Sequence, residues 1–583
     1  MAFIRTTKNK EGRQHVYLVE GYRENGKVKQ RIIHKYGLLD ELEAQEPGIL
    51  DRLKREAKEN SQINPEKLTV DYSLKDSMNR PDLKYGWKIL EDIYSTLKLD
   101  RYFSFHQSEK SDTNLSQVAQ LLFFQRILKP DSKHKTFISQ EHLFGNWNVP
   151  YNAVYRSLDQ FDQLKNDLQQ HIHREITQLT DRKATLVFYD VTNYYFEVDV
   201  PDEDVVDEEG NVIVEGLRKR GASKEYRRDP IVQLGLFMDS NGIPISYKLF
   251  RGNFSDPKTY IPAIQEAKKQ FGIERLVVVA DKAMNSADNL LEMLSKEDGW
   301  IFSQKHRGRR GAPKDIQEHI LDTSDWAYNQ TLTFAKKSYI RTRKLGTGKN
   351  APQVQEKVLI TWNEKYAIRE KLRREGALEY ASKLTNAELY RQTSKKGGKK
   401  YLDVTYIDSE TGEVLPYSPV VQINQEEVDF DAQFDGINVL VTSEIDKEDD
   451  EIIEAYQELS KIEDCFRVTK TEFESRPVYV RKPSHIEGHF LICFVSLVLM
   501  RLLQHTIQWK MSPRKIVEAL NSMEATPLVQ GFYRVQQSEL MDELNNYLGI
   551  HWTKGVVRVE EINSYGKKCI HNTLSAMKTS KKA

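Results

Sequence analysis

The order of strand and helix patterns between residues 184 and 305 restricts this chain more than any other feature. ATLVFYDVTNYYFEV, from Ala184, is a β-branched and aromatic run. IVQLGLFMDSNG and IPISYKLFRGN read as two more strands, joined at Ser240-Asn241-Gly242. A helix is expected over Thr259–Gln270, and RLVVVAD follows as a short, continuously apolar buried strand. A second helix fits Ser286–Lys296, and WIFSQK makes a fifth strand. The order β-β-β-α-β-α-β calls for an α/β core whose mixed sheet has three antiparallel strands followed by parallel ones.

The rest of the chain divides around this core. Residues 1–45 read as a basic β-hairpin: VYLVEGY and KVKQRIIHKYG flank Asn25-Gly26, a two-residue turn signal, and residues 1–37 hold nine Lys/Arg against three Glu. Residues 46–183 read as a helical DNA-binding region, with apolar residues at three- and four-residue spacing in YGWKILEDIYSTL, LSQVAQLLFFQRIL and YNAVYRSLDQFDQLKNDLQQHIHREI. VPYNAVYRSLDQF has the pattern of a helix-turn-helix recognition helix and equally of plain helical packing. Core residues 184–305 give way to a basic, β-rich insertion over 306–445; residues 305–350 carry eleven Lys/Arg against four acids. The core resumes over 446–510, and 511–583 form a helical C-terminal region.

Formal charge is zero, with 86 basic and 86 acidic residues, which excludes a simple polycation that coats DNA but not a protein with local basic patches. The three cysteines, Cys465, Cys493 and Cys569, form no CxxC pair, so neither a zinc ribbon nor a disulfide framework is expected. The most apolar stretch, Phe490–Leu503, is 14 residues long and falls short of the roughly 20 that span a bilayer, so no membrane partner is expected and a reducing, cytoplasmic setting is. Asp190 has Thr192 two residues on, against a phosphatase nucleophile of the kind that wants a second Asp there. LGTGKN at 345–350 lacks the first glycine of a P-loop.

Two carboxylates stand out. Asp190 lies inside an apolar strand, and Asp281 ends the LVVVAD strand, where α/β sheets present ligands. Alone, each has an ordinary reading as a cap, turn former or ion-pair partner; two at corresponding strand positions point to one site. Glu463 follows in YQELSKIEDCFRVTK, where Tyr456, Glu463 and Lys470 are spaced by seven and share one helical stripe. Three carboxylates suit two hard divalent cations, Mg²⁺ or Mn²⁺, about 3.5–4 Å apart, which together activate a nucleophile and stabilise a leaving oxygen in phosphodiester cleavage. Lys470 and Arg467 are candidates for strand phosphates, and Tyr456 for orienting one. Further candidates for DNA phosphates are Lys224 and Arg227, in the basic loop after the first strand, and Arg307, Arg309 and Arg310, after the fifth.

These motifs resemble the insertion-sequence transposases that carry a DDE triad on a ribonuclease-H-like fold, in the group with a Tyr-Arg-Glu-Lys signature. FYDVTNYYFE, the stretch from GASKEYRRDP to KLFRGN, VVVADKAMNS, YQELSKIEDCFRVTK and RPVYVRKPSHIEGHFLICFVSLVL carry the resemblance, which runs from about 184 to 505. The signature's Tyr, Glu and Lys match Tyr456, Glu463 and Lys470; its Arg position is Leu459, with Arg467 or Lys461 as substitutes. The resemblance implies Asp190, Asp281 and Glu463 as catalytic metal ligands, and a β-rich insertion between the second and third, which the 182-residue step from Asp281 to Glu463 accommodates. It further implies double-stranded DNA partners (element ends and target), a homodimer that pairs two ends, and an insertion aromatic, Trp326 or Tyr328, that stacks a flipped base. The alternatives are a nuclease of the same fold without strand transfer, and an inactive DNA-binding derivative.

Overall fold

In a computed structural model of the 583-residue chain, the described residues are 2–8, 12–24, 27–46, 48–54, 57, 81–107, 113–180, 182, 185–223, 228–309, 311–346, 348, 350–383, 402–407, 414–528, 531–552 and 555–580. They fall into two compact units, residues 1–79 and 80–583.

The first unit is a three-stranded antiparallel sheet, β1 (Ala2–Lys8), β2 (Gln14–Glu24) and β3 (Lys27–Leu38), followed by helix α1 (Leu39–Gln45). The expected hairpin is β2–β3, and β1 adds a strand along β2, with Ala2 opposite Glu20 and Lys8 opposite Gln14. The Asn25-Gly26 turn lies outside the described residues. Val16 packs with Ile49 and Leu53, and Arg13 pairs with Asp40 and Glu41.

The second unit opens with helices α2 (Trp87–Thr96), α3 (Leu115–Leu128), α4 (Lys133–Ser139) and α5 (Tyr151–Thr180). Asn114 and Ser132 cap α3 and α4 by accepting the Gln117 and Lys135 amides at 3.0 and 3.2 Å. Almost every residue of α3 is buried, so it is a core helix. The segment VPYNAVYRSLDQF, which suited a recognition helix or plain helical packing, opens α5, with Ala153, Val154, Leu158 and Phe161 in the main hydrophobic core.

The central sheet follows: β4 (Leu186–Tyr195), β5 (Ile231–Asp239), β6 (Pro244–Arg251), helix α6 (Asp256–Phe271), β7 (Val277–Ala280), helix α7 (Ala287–Ser295) and β8 (Gly299–Ser303). Strands β4–β6 are antiparallel neighbours, and β7 and β8 run parallel to β4, giving the spatial order β6-β5-β4-β7-β8. This is the expected mixed sheet of a ribonuclease-H-like core. Gly242, at φ +80°, makes the β5–β6 turn that a side chain would strain.

The insertion is less separate than expected. Its strands β9 (Ala327–Tyr328), β10 (Phe334–Lys344), β11 (Gln353–Asn363) and β12 (Ile437–Thr442) prolong the same sheet, with β12 antiparallel to β8, to give nine strands. Helix α8 (Glu364–Lys383) follows β11. Helices α9 (Asp449–Gln457), α10 (Ser460–Arg467) and α11 (Pro483–Thr506) then cover one sheet face. The C-terminal region also departs from a purely helical reading. Glu524–Pro527, Phe532–Val535 and Val556–Arg558 form a small sheet with Leu83–Lys84, and its helices share the main core.

Helix α11 corrects an argument from length. It has 24 residues, long and apolar enough to cross a membrane, yet its most apolar window is 94% buried, so it is a core helix by burial. Helices α3 and α5 pack on it, and at Gly488 it meets α5 so closely that a Cβ would stand 2.5 Å from the Leu158 carbonyl oxygen. Because a backbone atom cannot yield as a side chain can, Gly488→Val should destabilise the protein by about 1–3 kcal/mol. Chemical denaturation that gave an unchanged midpoint would exclude this close crossing.

Candidate active site

Alternation along the strands sorts the sheet's side chains onto two faces. Phe188, Tyr194, Val277, Val279 and Ile301 enter one hydrophobic cluster, and Val187, Tyr189, Val278, Trp300 and Phe302 the other. By that parity Asp190, Thr192, Asp281 and Ser303 lie on the first face, the one covered by α10 and α11. On parallel strands β4 and β7, Val277 pairs with Leu186 and Val279 with Phe188. Continuing that register brings Asp281 level with Asp190, about 5 Å away strand to strand. On the other side Ala280 pairs with Phe302, and the next pair is bonded through side chains: the Ser303 hydroxyl donates to Asp281 Oδ1 at 2.8 Å. The Lys282 amide donates to the same oxygen at 2.7 Å, and the Val191 amide to Asp190 Oδ1 at 2.7 Å. Asp190 is half-buried, and Asp281 is exposed at the strand's end.

Helix α10 runs along β4 in the strand's own direction. Cys465 Sγ lies 3.8 Å from Met238 Sδ, beside Phe188, and one turn later the Thr469 hydroxyl is 2.7 Å from the Tyr194 hydroxyl. Ile462, Cys465 and Phe466 are buried, and Glu463 stays exposed beside them. The single helix expected from Tyr456 to Lys470 is broken. Bonds from Leu459 N to Tyr456 O, Lys461 N to Glu458 O and Ile462 N to Leu459 O tighten the chain between α9 and α10 into three-residue turns. After Arg467 a π-turn, Val468–Glu472, loosens it again. Overwinding and underwinding replace the even seven-residue stripe, but its three residues still meet the site. Lys470 Nζ donates to Thr192 Oγ1 at 2.6 Å, two residues from Asp190, and lies 5.5 Å from the Tyr194 ring centre. The Tyr456 phenol is pushed up to about 12, by burial first and, against the opposing effect of the neighbouring Ser303 hydroxyl, by the charges of Asp281 and Glu463. That phenol therefore lies near enough to the second and third carboxylates to feel both charges, and it stays protonated at neutral pH. Tyr366, in the first turn of α8, adds to the same shift, so the insertion reaches the site.

Asp190 and Asp281 thus share one sheet face, and α10, which carries Glu463, covers that face; the three mark the rim of the candidate site. Among the described residues no group of three or more His, Cys, Asp or Glu side chains is placed to hold a metal ion. The donor types on the rim, carboxylates flanked by hydroxyls, suit a hard divalent cation.

The other expected contacts separate. Arg307 is an internal strut: it donates to Glu370 at 2.5 Å and to the Phe434 carbonyl at 2.7 Å, and lies 3.3 Å from Asp435, so it holds the insertion together instead of facing outward. Arg309 is exposed, on Glu427 at 2.9 Å and 4.8 Å from the Phe430 ring centre. Arg467 is exposed and pairs with Asp464 at 2.5 Å. Lys224, Arg227 and Arg310 lie outside the described residues. Leu459 is buried, and Lys461 pairs with Glu458. Trp326 is half-buried, with Lys337 Nζ 4.9 Å from its ring centre, and Tyr328 is exposed. Sequence reasoning missed Ser303, Thr192 and Arg501. The first two were open to it, because they sit at fixed register from the carboxylates. Arg501, buried on α11, bonds Asp464 at 2.8 Å and fixes the residue beside Glu463. Burial pushes the Asp464 carboxyl up, but Arg501 and Arg467 outweigh it and hold it below the usual range.

Two family models match this chain. The N-terminal domain of the IS1634 family transposases covers residues 4–69, and the transposase DDE domain covers 214–499, which includes Asp281 and Glu463 and begins after Asp190. The chain belongs to the insertion-sequence DDE transposases, and its N-terminal domain is of the IS1634 type. DDE transposase domains generally use divalent metal ions. No curated protein matches the chain. Among solved structures, the Mos1 transposase paired-end complex with left transposon end is 11% identical over 34% of this chain and 65% of that one, with a TM-score of 0.14. A pre-cleavage Mos1 transpososome is 10% identical over 44% and 70%, with a TM-score of 0.13. The Mos1 mariner paired end complex with Mn is 12% identical over 44% and 68%, also at 0.13. The chain spans just under two thirds of the first of these.

Proposed function

We propose that this transposase cuts double-stranded DNA at the ends of an insertion sequence and joins those ends to a target, with Asp190, Asp281 and Glu463 holding two Mg²⁺ (or Mn²⁺) ions. The observation that carries this reading is the strand register that sets Asp281 level with Asp190, on the face where α10 presents Glu463. When bound, the ions make water or a 3′-hydroxyl nucleophilic and stabilise the leaving oxygen. The chain's own residues orient the strand. Tyr456, protonated at neutral pH, donates a hydrogen bond to a phosphate oxygen between Asp281 and Glu463. Lys470 supplies a fixed positive charge beside β4, and Ser303 holds Asp281 in its rotamer. Arg467 and Arg309, both exposed, add phosphate contacts on exchanging their carboxylate partners for DNA, and Lys224, Arg227 and Arg310 extend the basic path.

The regional roles follow the same reading. The basic sheet of residues 1–45 and the helices of 46–183 bind the element end, 184–305 and 446–510 form the core, 306–445 adds a wall to the site, and 511–583 serve assembly. Two ends must be held at once, which a homodimer achieves, in the cytoplasm at the nucleoid.

The test uses the DNA that flanks the protein's own gene, labelled at both ends. Cutting at the element ends with Mg²⁺ or Mn²⁺, and its loss on chelation, is the expected result. Binding without cutting under both metals would leave only a DNA-binding derivative.

A further inference from the structure

A cavity of about 330 Å³ lies between the α3–α4 segment and the chain that links the π-turn to α11. Arg126, Lys133, Lys135, His489, Glu474 and Tyr479 are among its lining residues. Lys133 is 6% exposed, and its ammonium has no hydrogen-bond or ion-pair partner among the described residues. Buried lysines are ordinarily paired, because an isolated ammonium away from water is costly. Arg126, also buried, donates to the Phe473 and Asp131 carbonyls at 3.1 and 3.2 Å, and its Nε has no partner. Among the described residues no carboxylate pairs with either cation. Asp131 is taken by Lys135 at 3.3 Å, and Glu474 is exposed. Tyr479 is 71% exposed, an aromatic platform on which a base can stack.

We propose that this cavity is an anion site that takes a phosphate group, held by Lys133 and Arg126, with Tyr479 as the surface for a nucleotide that carries it. Burial, and then the Arg126 charge, push the Lys133 amine down to about 7, and a bound phosphate reverses that pressure. None of the residues that line this cavity is among those assigned to the catalytic rim.

The test is thermal unfolding of the full chain with inorganic phosphate, against chloride at equal ionic strength, for wild type and Lys133→Met. Methionine fills the same space without a charge, so the variant should fold at least as stably without phosphate. Phosphate should raise the wild-type Tm and leave the variant's unchanged. A rise of equal size in both proteins, or in neither, overturns the proposal. Binding of a short DNA strand with and without a 5′-phosphate then identifies the source. A preference of about tenfold for the phosphorylated strand, lost in Lys133→Met, assigns the site to a strand end. A phosphate response without that preference assigns it to the free ion. The same series on Asp190→Asn should give the same result, so a failure of this site and a failure of the catalytic reading are read separately.

Discussion

Asp190→Asn, Asp281→Asn and Glu463→Gln should each lower end cleavage at least about 10³-fold while leaving DNA binding near wild type, because on the proposed reading each removes a charged oxygen ligand worth several kcal/mol to the transition state. The amides keep the local structure. In Asp281→Asn the side-chain carbonyl oxygen would still accept from the Ser303 hydroxyl and the Lys282 amide, since both bonds use a single oxygen. Glu463 is exposed, so its replacement disturbs no packing. Each substitution also keeps the size of the side chain, so Tm should stay near wild type. Ser303→Ala should behave differently. It frees the Asp281 side chain without removing a ligand, so the loss should be nearer tenfold and partly recovered at higher metal concentration. Single-turnover cleavage of a labelled end, with binding measured in parallel, separates these outcomes. Full cleavage by any carboxylate variant would remove that residue from the catalytic set.

The sequence made the sheet legible because its signals are local. Apolar runs bounded by turn residues define β4 to β8, and a carboxylate within or ending such a run is costly enough to be noticed. The helix that carries Glu463 was legible for the same reason, as Ile462, Cys465 and Phe466 mark its buried side. What periodicity cannot supply is a change of helical winding. The tight turns at Glu458–Leu459 and the π-turn after Arg467 depend on how α9 and α10 fit two parts of one sheet, and that fit is tertiary. The same limit explains Arg307. A basic residue after a strand has one appearance in sequence, whether it faces DNA or closes on Glu370 and Asp435. It also explains the insertion. Ile437–Thr442 reads as one more alternating strand, and only pairing with β8 and β11 reveals it as part of the core sheet. Lys133 is the strongest case, since nothing in KPDSKHK distinguishes the one lysine that is buried without a partner among the described residues.

The largest effect on stability should come from Asp239→Ala, about 3–5 kcal/mol, because it strands a buried guanidinium. Arg182, just before β4, has no exposed side-chain surface, and Asp239, at the end of β5, has 1%. Arg182 Nε donates to Asp239 Oδ2 at 2.6 Å, and its other nitrogens reach the Pro244 carbonyl at 3.1 Å and His173 Nδ1 at 3.4 Å. Asp239 Oδ1 in turn accepts the Ile243 amide at 2.9 Å, closing the β5–β6 turn. One ion pair therefore ties α5, the entry to β4 and the turn between its neighbours, and so fixes the strand that carries Asp190. Removing the carboxylate leaves the arginine with neutral acceptors only. Replacing both partners by apolar residues of similar size, as in Arg182→Met with Asp239→Leu, should restore much of the loss, since no charge is then left buried. His173 adds a pH dependence. Burial and the Arg182 charge push it down to about 4 from an ordinary 6.5, so it is neutral in the folded protein and accepts from Arg182. Below pH 6.5 the unfolded chain binds this proton and the folded one does not, so stability should fall progressively from about pH 6.5 down to about 4. His173→Asn should flatten that part of the profile. Denaturation midpoints for the single and double variants across this range decide the matter. A double variant no more stable than Asp239→Ala would mean that the geometry of the pair, and not its stranded charge, holds this corner of the sheet.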